Sequence, residues 1–593
     1  MGQEQSIPAS MTRQDARPAP LSSAARRARL GAFARRHWGA ILILGLYAAA
    51  AFIVPTLTPA AVSDDWVYVR SVEILVRQGE LKIIDLSVVT LLSQLAWGAL
   101  FALPFGPSFG TLRIATLVLV ALGGVALYGL CRELRIGHAG SALALAAYLF
   151  QPLSFVLSYS FMSDPQFTAL ITIASYGYVR GLRPGAIGAR ATLFGAAIAA
   201  VAFLMRQQGA LLPLAVIVYL ALCRRPQSLR EALATGARVV ALPALAIVGY
   251  YLWLKFINGI PFRQGDFVNS IRDAGLVGTR DLALRLLTIE ALYLGFFALP
   301  LAVATLPRLA RLCRFAGPRG WLLFAGWTAI VAAGVAAFGA QGRLMPYVAQ
   351  FVGVGGLGPD DLLGERPPLV GPDAQWWFTA ACAASALLFG LALCRRAAVP
   401  ATPVAPARAR AGLLLTIALW QAVGILPAAY SFRHAGGSLD RYLLPLLPFA
   451  LGLGLWALRD LRPVLPLAWA VVIVGALLAV AGTRDFLVFQ GATWDFARHA
   501  NASGIDNTRL DAGTSWDGYH LYEYSQANHI SPRTTDGPWW TGLFAPATDS
   551  SYVISSTPLP DYTIVEELTY SSWLHRTAIP LYLLRRPGVA GPP

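Results

Sequence analysis

The chain has 593 residues, of which 56% are hydrophobic and only 13% charged, about half the charged share of an average soluble domain. Apolar stretches near 20 residues long recur almost to the end, which excludes a water-soluble enzyme, and the 11% aromatic content excludes a disordered chain. The net charge of +16 does not mark a nucleic-acid binder: Lys82 and Lys255 are the only lysines, and the arginines lie in short clusters between apolar runs, as membrane topology requires.

Residues 1–37 form a basic tail, expected in the cytoplasm, and the first apolar run follows over Trp38 to Val54. This reads as an uncleaved signal-anchor. A cleavable signal peptide is the competing reading, because Ala60, Ala61 and Ser63 are small. The segment 55–110 then holds an amphipathic stretch, VYVRSVEILVRQGEL, and an apolar run from Val88 to Leu103. Both read as helices lying along the outer interface; the alternative for the second is a short span, which would invert the topology after it.

Twelve further spans fall near 111–131, 139–157, 162–179, 191–205, 209–223, 238–257, 283–305, 321–340, 376–394, 412–430, 442–458 and 463–482. With the first they predict an α-helical polytopic membrane protein of about 13 transmembrane helices. Arg132 with Arg135, Arg180 with Arg183, Arg224 with Arg225, Arg308 to Arg319, Arg395 to Arg410, and Arg459 with Arg462 then share the side of the N-terminus, as the positive-inside rule demands. Of the 31 acidic residues only Glu4, Asp15, Glu133, Glu231 and Asp460 fall on that side. The five cysteines show neither metal-ligand spacing nor convincing pairing. The transmembrane module is thus expected over 38–482, its catalytic part over about 55–225.

The loop after the ninth span, GRLMPYVAQFVGVGGLGPDDLLGERPP, is Gly/Pro-rich and suits a lid or binding loop. The link around 395–411 is Pro/Ala-rich and reads as a disordered connection. From about Arg484 the composition turns polar and aromatic, with strand-like runs SSYVISSTP, DYTIVEELTY and IPLYLLRR. A small α/β or α+β domain over 483–593, on the outer face, is expected. Its aromatic GTSWDGYHLYEY and DGPWW suit a carbohydrate surface or plain core packing equally.

Two outer-side acidic elements stand out. SDDWVY places Asp64 and Asp65 just after the first span, and SYSFMSDPQF places Asp164 before Pro165 where the fourth span begins. Helix capping explains each singly, with Ser63 or Asp64 as one cap and Ser163 or Asp164 as the other. Lying at one membrane level, however, the acids suit a general base aimed at a site between the outer loops and the bilayer. Arg206 in FLMRQQG and Arg441 in DRYLLP are the outer-level candidates for a phosphate, since a guanidinium fork binds two oxygens and stays charged; snorkelling boundary arginines are the competing reading. Glu290, inside TIEALYLGFF, needs a partner or a polar cavity, and pairing with one of these arginines is the expectation. His434 reads as an interface or acceptor-site histidine rather than a zinc ligand.

DDWVY, LFALPFGPSFGTLRIATLVLVALGGVALYGLCREL and SYSFMSDPQFTAL resemble the N-terminal half of the GT-C membrane glycosyltransferases, nearest to the family 39 group of protein O-mannosyltransferases and lipid A aminoarabinose transferases. The resemblance covers about 38–225, and DRYLLPLLP at Asp440 to Pro448 is similar to a late Arg-Tyr-Leu-x-Pro signature. It implies a GT-C fold with Asp64 as catalytic base, Asp65 as its neighbouring acid, Tyr68 as the following aromatic, and Asp164 as the second-loop acid that organises the site or a metal. Tyr442, beside Arg441, joins Tyr68 and Glu290 as a candidate pocket residue. Where many relatives carry a His-Pro-Pro-like element this chain reads IIDLSVVTLL, which puts the acceptor side in doubt.

The implied partners are a polyprenyl-phosphate sugar donor, a glycan, lipid or protein acceptor, and membrane lipids, without nucleic acid. No cofactor is assigned; Asp64, Asp65 and Asp164 are compatible with a divalent cation, but two loops do not supply a ligand count. The expected reaction is inverting sugar transfer at the outer face of the cytoplasmic membrane. The rival is a transporter or flippase of lipid-linked sugars, which predicts polar groups at mid-membrane rather than acids clustered at one surface.

Overall fold

The computed structural model describes residues 23–182, 188–223, 228–314, 318–398, 406–430, 438–530 and 547–589. His434, DGPWW and the pair Arg224/Arg225 lie outside them, as do residues 399–405 of the Pro/Ala-rich link. The described chain is a bundle of helices carrying a small mixed sheet at one end.

Helix α1 (Ser23–Ile53) bends at His37, where a basic entry segment meets the apolar span. Two short helices follow, α2 (Asp65–Gln78) and α3 (Leu92–Phe105). At 14 residues, α3 is well short of the ~20 needed to cross a bilayer. The long α4 (Phe109–Glu133) begins at Ser108, whose Oγ accepts from the Thr111 N–H at 3.1 Å, an ordinary N-cap. Helices α5 (His138–Phe150) and α6 (Pro152–Ser158) form one pair bent by 58°, broken where Pro152 removes a backbone donor. Then come α7 (Ser163–Gly181), α8 (Ala189–Met205), α9 (Leu211–Cys223), α10 (Leu229–Trp253) and α11 (Phe262–Thr305), the last broken at Gly275. After the short α12 (Leu309–Leu312), helices α13 (Pro318–Gly339), α14 (Pro372–Ala398), α15 (Pro406–Val423) and α16 (Leu426–Tyr430) lead to a 3-10 turn over Asp440–Leu446. This turn feeds α17 (Leu447–Leu458), every residue of which is buried, so α17 is the central post of the bundle.

Every predicted span falls on a helix or a bent helix pair. Among the described residues, nine helices are long and apolar enough to cross a membrane, or ten with the α5/α6 pair counted as one. Of the expected thirteen, the spans on α7, α8 and α9 do not reach that standard. Those on α8 and α9 are short, and α7 carries polar residues. The two faces of the bundle are tied separately. At the basic face Arg410 pairs with Glu133 at 3.3 Å and Arg459 donates to the Leu134 carbonyl at 3.4 Å.

The last span does not stop near 482: α18 (Leu465–Ala502) continues as one helix into the soluble part. There β1 (Leu510–Asp511), α19 (Thr514–Ala527), β2 (Tyr552–Ser555), β3 (Thr563–Ser571) and β4 (Ala578–Arg585) build a four-stranded sheet in the order β1-β2-β4-β3, with β1 and β2 parallel and the other pairs antiparallel. This is the expected small domain of mixed character. Helix α19 packs on α2: Gly518 lies against the Trp66 ring, Tyr519 donates to Glu73 at 3.2 Å, and Arg70 pairs with Glu523 at 2.8 Å.

The loop expected to be a lid or binding loop is a strap fastened at several points. The Asp440 carboxylate accepts from the N–H groups of Phe351 and Val352 at 2.9 and 2.8 Å. Ser556 N donates to the Leu363 carbonyl at 3.0 Å, and Thr514 N to that of Asp361 at 3.2 Å. Its glycines allow these close approaches; Gly364, at φ +78°, lies against Ser555 and Thr557.

Within the bundle, α11 and α14 approach through Gly295, where an added Cβ would lie 2.1 Å from the Cys382 carbonyl oxygen and 2.8 Å from Ala386 N. Small residues at such crossings allow backbones to pack closely in lipid. Gly295→Leu is expected to force the helices apart and destabilise the fold by about 1–3 kcal/mol or more, read as a lower midpoint of thermal unfolding in detergent.

Candidate active site

The site grows from the segment between α1 and α2. Arg113, fully buried on α4, donates to the carbonyls of Thr56 at 3.1 Å, Thr58 at 2.7 Å and Ala60, and so pins the exit from the first span. The turn closes at Ser63, whose φ of +53° is costly for a residue with a Cβ. The next two residues are thereby turned in different directions.

Asp65 faces inward. Its two oxygens accept from Val62 N at 2.8 Å and from Phe161 N at 3.1 Å, with no exposed surface. Burial pushes its carboxyl up to about 7, against the opposing effects of Arg113 and the two N–H donors. Its place is therefore a tie between the segment after α1 and the segment before α7, not the open acid beside the base that the motif suggested.

Asp64 occupies the N-cap position of α2 but makes no side-chain cap. Its Oδ2 instead accepts from Arg441 Nη2 at 3.0 Å, and its side chain keeps 29% of its surface exposed. At α7 the N-cap position falls to Met162, so neither Ser163 nor Asp164 is the cap that was expected and Asp164 lies in the first turn. Asp164 is buried there and pairs with Arg206, while Ser163 Oγ accepts from the same guanidinium at 3.2 Å. Arg206 reaches inward because it follows α8 in extended conformation.

The two pairs share neighbours. The Arg441 and Arg206 guanidinium carbons lie 5.2 and 5.4 Å from the centre of the Tyr442 ring, within cation–π range. Tyr68 is buried where the charges of Arg441, Asp64, Asp164 and Arg206 all act on its phenol, and burial holds that phenol far above its usual value. Both aspartates act on Arg441. The structure thus brings together Asp64, Asp164, Arg206, Arg441, Tyr68 and Tyr442. In DRY, Asp440 fastens the strap, Arg441 meets Asp64, and Tyr442 lies beside both arginines.

Glu290 does not join them. It is buried in α11 with Oε1 lacking a hydrogen-bond partner, and it forms no ion pair among the described residues, so the expected pairing with Arg206 or Arg441 is absent. Asp361, which sequence reasoning passed over, does belong nearby. Buried on the strap, it accepts from Gln490 Nε2 at 3.0 Å and from Ser63 N, and it acts on both Asp64 and Asp65. Burial raises its carboxyl to about 6. Only its PDD setting in a Gly/Pro-rich loop could have drawn notice.

The site is therefore a row of alternating charges at the membrane surface, with one partly open carboxylate. Such a row can take a hydroxyl proton at one end and hold an anion at the arginines. It does not form the oxygen cage envisaged for a cation. Asp64 and Asp164 are each held by a different arginine and Asp65 by backbone donors, and no group of three metal-ligating side chains occurs among the described residues.

Residues 95–251 match the model of the family described as dolichyl-phosphate-mannose-protein mannosyltransferase. The match includes Asp164 and Arg206 and falls largely on the stretch whose motifs resemble family 39, where it bears out that resemblance. Comparison with curated proteins gives no match. Similar solved structures include ArnT from Cupriavidus metallidurans bound to undecaprenyl phosphate, at 15% identity, with 93% of this chain and 99% of that one covered and a TM-score of 0.40. Another is the archaeal oligosaccharyltransferase AglB from Archaeoglobus fulgidus in complex with an inhibitory peptide and a dolichol-phosphate, at 12% identity, 85% and 61% coverage and a TM-score of 0.38.

Asp65 makes stability depend on pH in a definite direction. Unfolded, its carboxyl ionises near 3.8, but in the fold only near 7. Its contribution is therefore complete below the lower value and is lost as pH rises through the upper one. Thermal unfolding of the wild type at pH 5 and pH 8 should show this loss, and Asp65→Asn, neutral at both, should show a smaller difference. Asp65→Ala leaves the Val62 and Phe161 N–H groups unpaired and should cost about 2–4 kcal/mol.

Proposed function

We propose that the chain is a glycosyltransferase that moves a sugar from a polyprenyl-phosphate donor to a hydroxyl acceptor at the outer face of the cytoplasmic membrane, with inversion. The reading rests above all on one observation: Asp64 at the N-cap of α2 and Asp164 in the first turn of α7 pair with two arginines flanking one tyrosine. The family-model match over 95–251 supports sugar transfer from a lipid-linked donor. The positive-inside rule places the N-terminus in the cytoplasm and the acidic face, with residues 483–593, outside.

Asp64 is the general base, being the member of the set with an open side chain. It takes the proton of the acceptor hydroxyl as that oxygen bonds to the anomeric carbon, while the bond from that carbon to the phosphate oxygen breaks with its electron pair leaving on phosphate. An oxocarbenium-like transition state results, related to that of inverting glycosidases. The released polyprenyl phosphate needs cations rather than a proton. Arg441 has donors for it, since its buried Nε lacks a partner among the described residues, and Arg206 is the second cation. Asp164 orients Arg206, Tyr68 and Tyr442 line the pocket, and Asp65 holds the loop.

Purified protein supplied with labelled polyprenyl-phosphate sugars and membrane acceptors tests this reading. Asp64→Asn should lower transfer by roughly 10²- to 10⁴-fold, and it should also lower the midpoint of thermal unfolding, since it leaves the buried Arg441 guanidinium without its charge partner. Asp164→Asn and Arg441→Ala should also lower it. Transfer undiminished in Asp64→Asn removes the base assignment, and movement of the labelled lipid across the bilayer without transfer by the unaltered protein would instead indicate a transporter.

A further inference from the structure

A second feature lies at the opposite end of the same spans. Helices α1, α3, α4, α7 and α8 leave a lateral groove of about 1310 Å³ between them. Its walls are apolar, and Ile41, Leu122, Val125, Phe194 and Val201 are exposed along it. Polar groups on the wall near the site face are already engaged internally: Ser93 Oγ donates to the Val201 carbonyl and Trp97 Nε1 to that of Ala115, both at 2.8 Å. The groove follows α4 from Leu119 to Glu133, about 21 Å at 1.5 Å per residue. That is deeper than one leaflet, half of a hydrocarbon core ~30 Å thick. A groove of this kind suits a hydrocarbon chain.

Its polar end lies at the basic face, far from Asp64. His37, Tyr128, Arg132, Glu133, Tyr176 and Arg180 line it there. A hydrogen-bonded chain joins α1, α4 and α5 at this end: His37 Nδ1 lies 3.0 Å from Tyr128 Oη, which lies 2.6 Å from His138 Nδ1, while Arg36 Nε donates to His138 Nε2 at 3.3 Å. Tyr176 Oη accepts from Arg180 at 2.5 Å. The single acid, Glu133, is paired with Arg410. Arg36, Arg132 and Arg180 therefore have no carboxylate within 4 Å among the described residues, and the mouth is positively charged.

We propose that this groove is a binding site for a membrane glycerophospholipid with a singly anionic headgroup. One hydrocarbon chain lies in the groove, and the phosphodiester sits among Arg36, Arg132 and Arg180 in the leaflet opposite the sugar-transfer site. Charge complementarity selects the occupant, since each basic side chain at a membrane surface favours anionic over zwitterionic lipid. Tyr128 and Tyr176 supply hydroxyls at headgroup level. The site is separate from the sugar-transfer proposal and stands or falls without it.

Native mass spectrometry of the full-length chain in detergent tests the site, with added phosphatidylglycerol or phosphatidylcholine carrying identical acyl chains. The wild type should retain phosphatidylglycerol roughly tenfold or more over phosphatidylcholine. Arg132→Ala/Arg180→Ala should reduce that preference to near parity. Leu122→Trp, which fills the groove from a lipid-facing position and leaves the arginines intact, should lower retention of both lipids. Equal retention of the two by the wild type, an unchanged preference in the double variant, or displacement of phosphatidylglycerol by an equimolar polyprenyl phosphate would each overturn the proposal.

Discussion

The arrangement depends on a carboxylate that declines its local partner. Asp64 stands where an N-cap belongs, yet its side chain meets Arg441 from a turn 377 residues later in the chain. An ion pair in water contributes little, but this one joins a buried guanidinium to a half-open acid. Losing either partner would strand a charge in a poorly solvated place. The pair therefore fixes the C-terminal end of α1 relative to the central α17, and the second pair, Asp164 with Arg206, ties α7 to α8. Scaffold and candidate chemistry use the same four side chains.

Around these pairs the protein has placed a layer of buried supports. Arg113 holds three carbonyls of the segment before Asp64, Asp65 ties that segment to the turn before α7, and Asp440 fastens the strap. Each support places a charged group against backbone amides or carbonyls. A buried charge is tolerable in such a setting because several dipoles point at it. Ser63, held at positive φ between Asp361 and Asp64, marks the point where the supports constrain the chain most tightly.

Much of the fold was legible in the sequence because it follows from one property, the length and spacing of apolar runs. Ala34–Ile53, Phe109–Glu133 and Pro372–Ala398 are readable from hydropathy alone. The acids at 64 and 164 and the arginines at 206 and 441 could be found because charge near an apolar boundary is conspicuous. Their neighbours were less legible, since side-chain direction depends on turns that composition does not encode. Nothing in DDWVY says that the first acid faces out and the second in; the backbone at Ser63 decides it. Asp361 lay hidden in a loop of many polar residues, and its nearness to Asp64 depends on a strap anchored at Ser556 and Thr514. Glu290 misled for the opposite reason. It is conspicuous in an apolar run, but among the described residues it pairs with neither arginine it was expected to meet.

The fastening of the strap to the sheet, together with the packing of α19 on α2, has an architectural consequence. Asp361 and Asp64 each sit on an element clasped by the terminal domain, which itself hangs from the rigid continuation of α18. The domain thus works as a keystone rather than an appendage. A version of the protein cut off after its last span would keep every membrane helix and yet lose the alignment of its acidic mouth, and grafting a foreign domain there would succeed only if the newcomer gripped the same two elements.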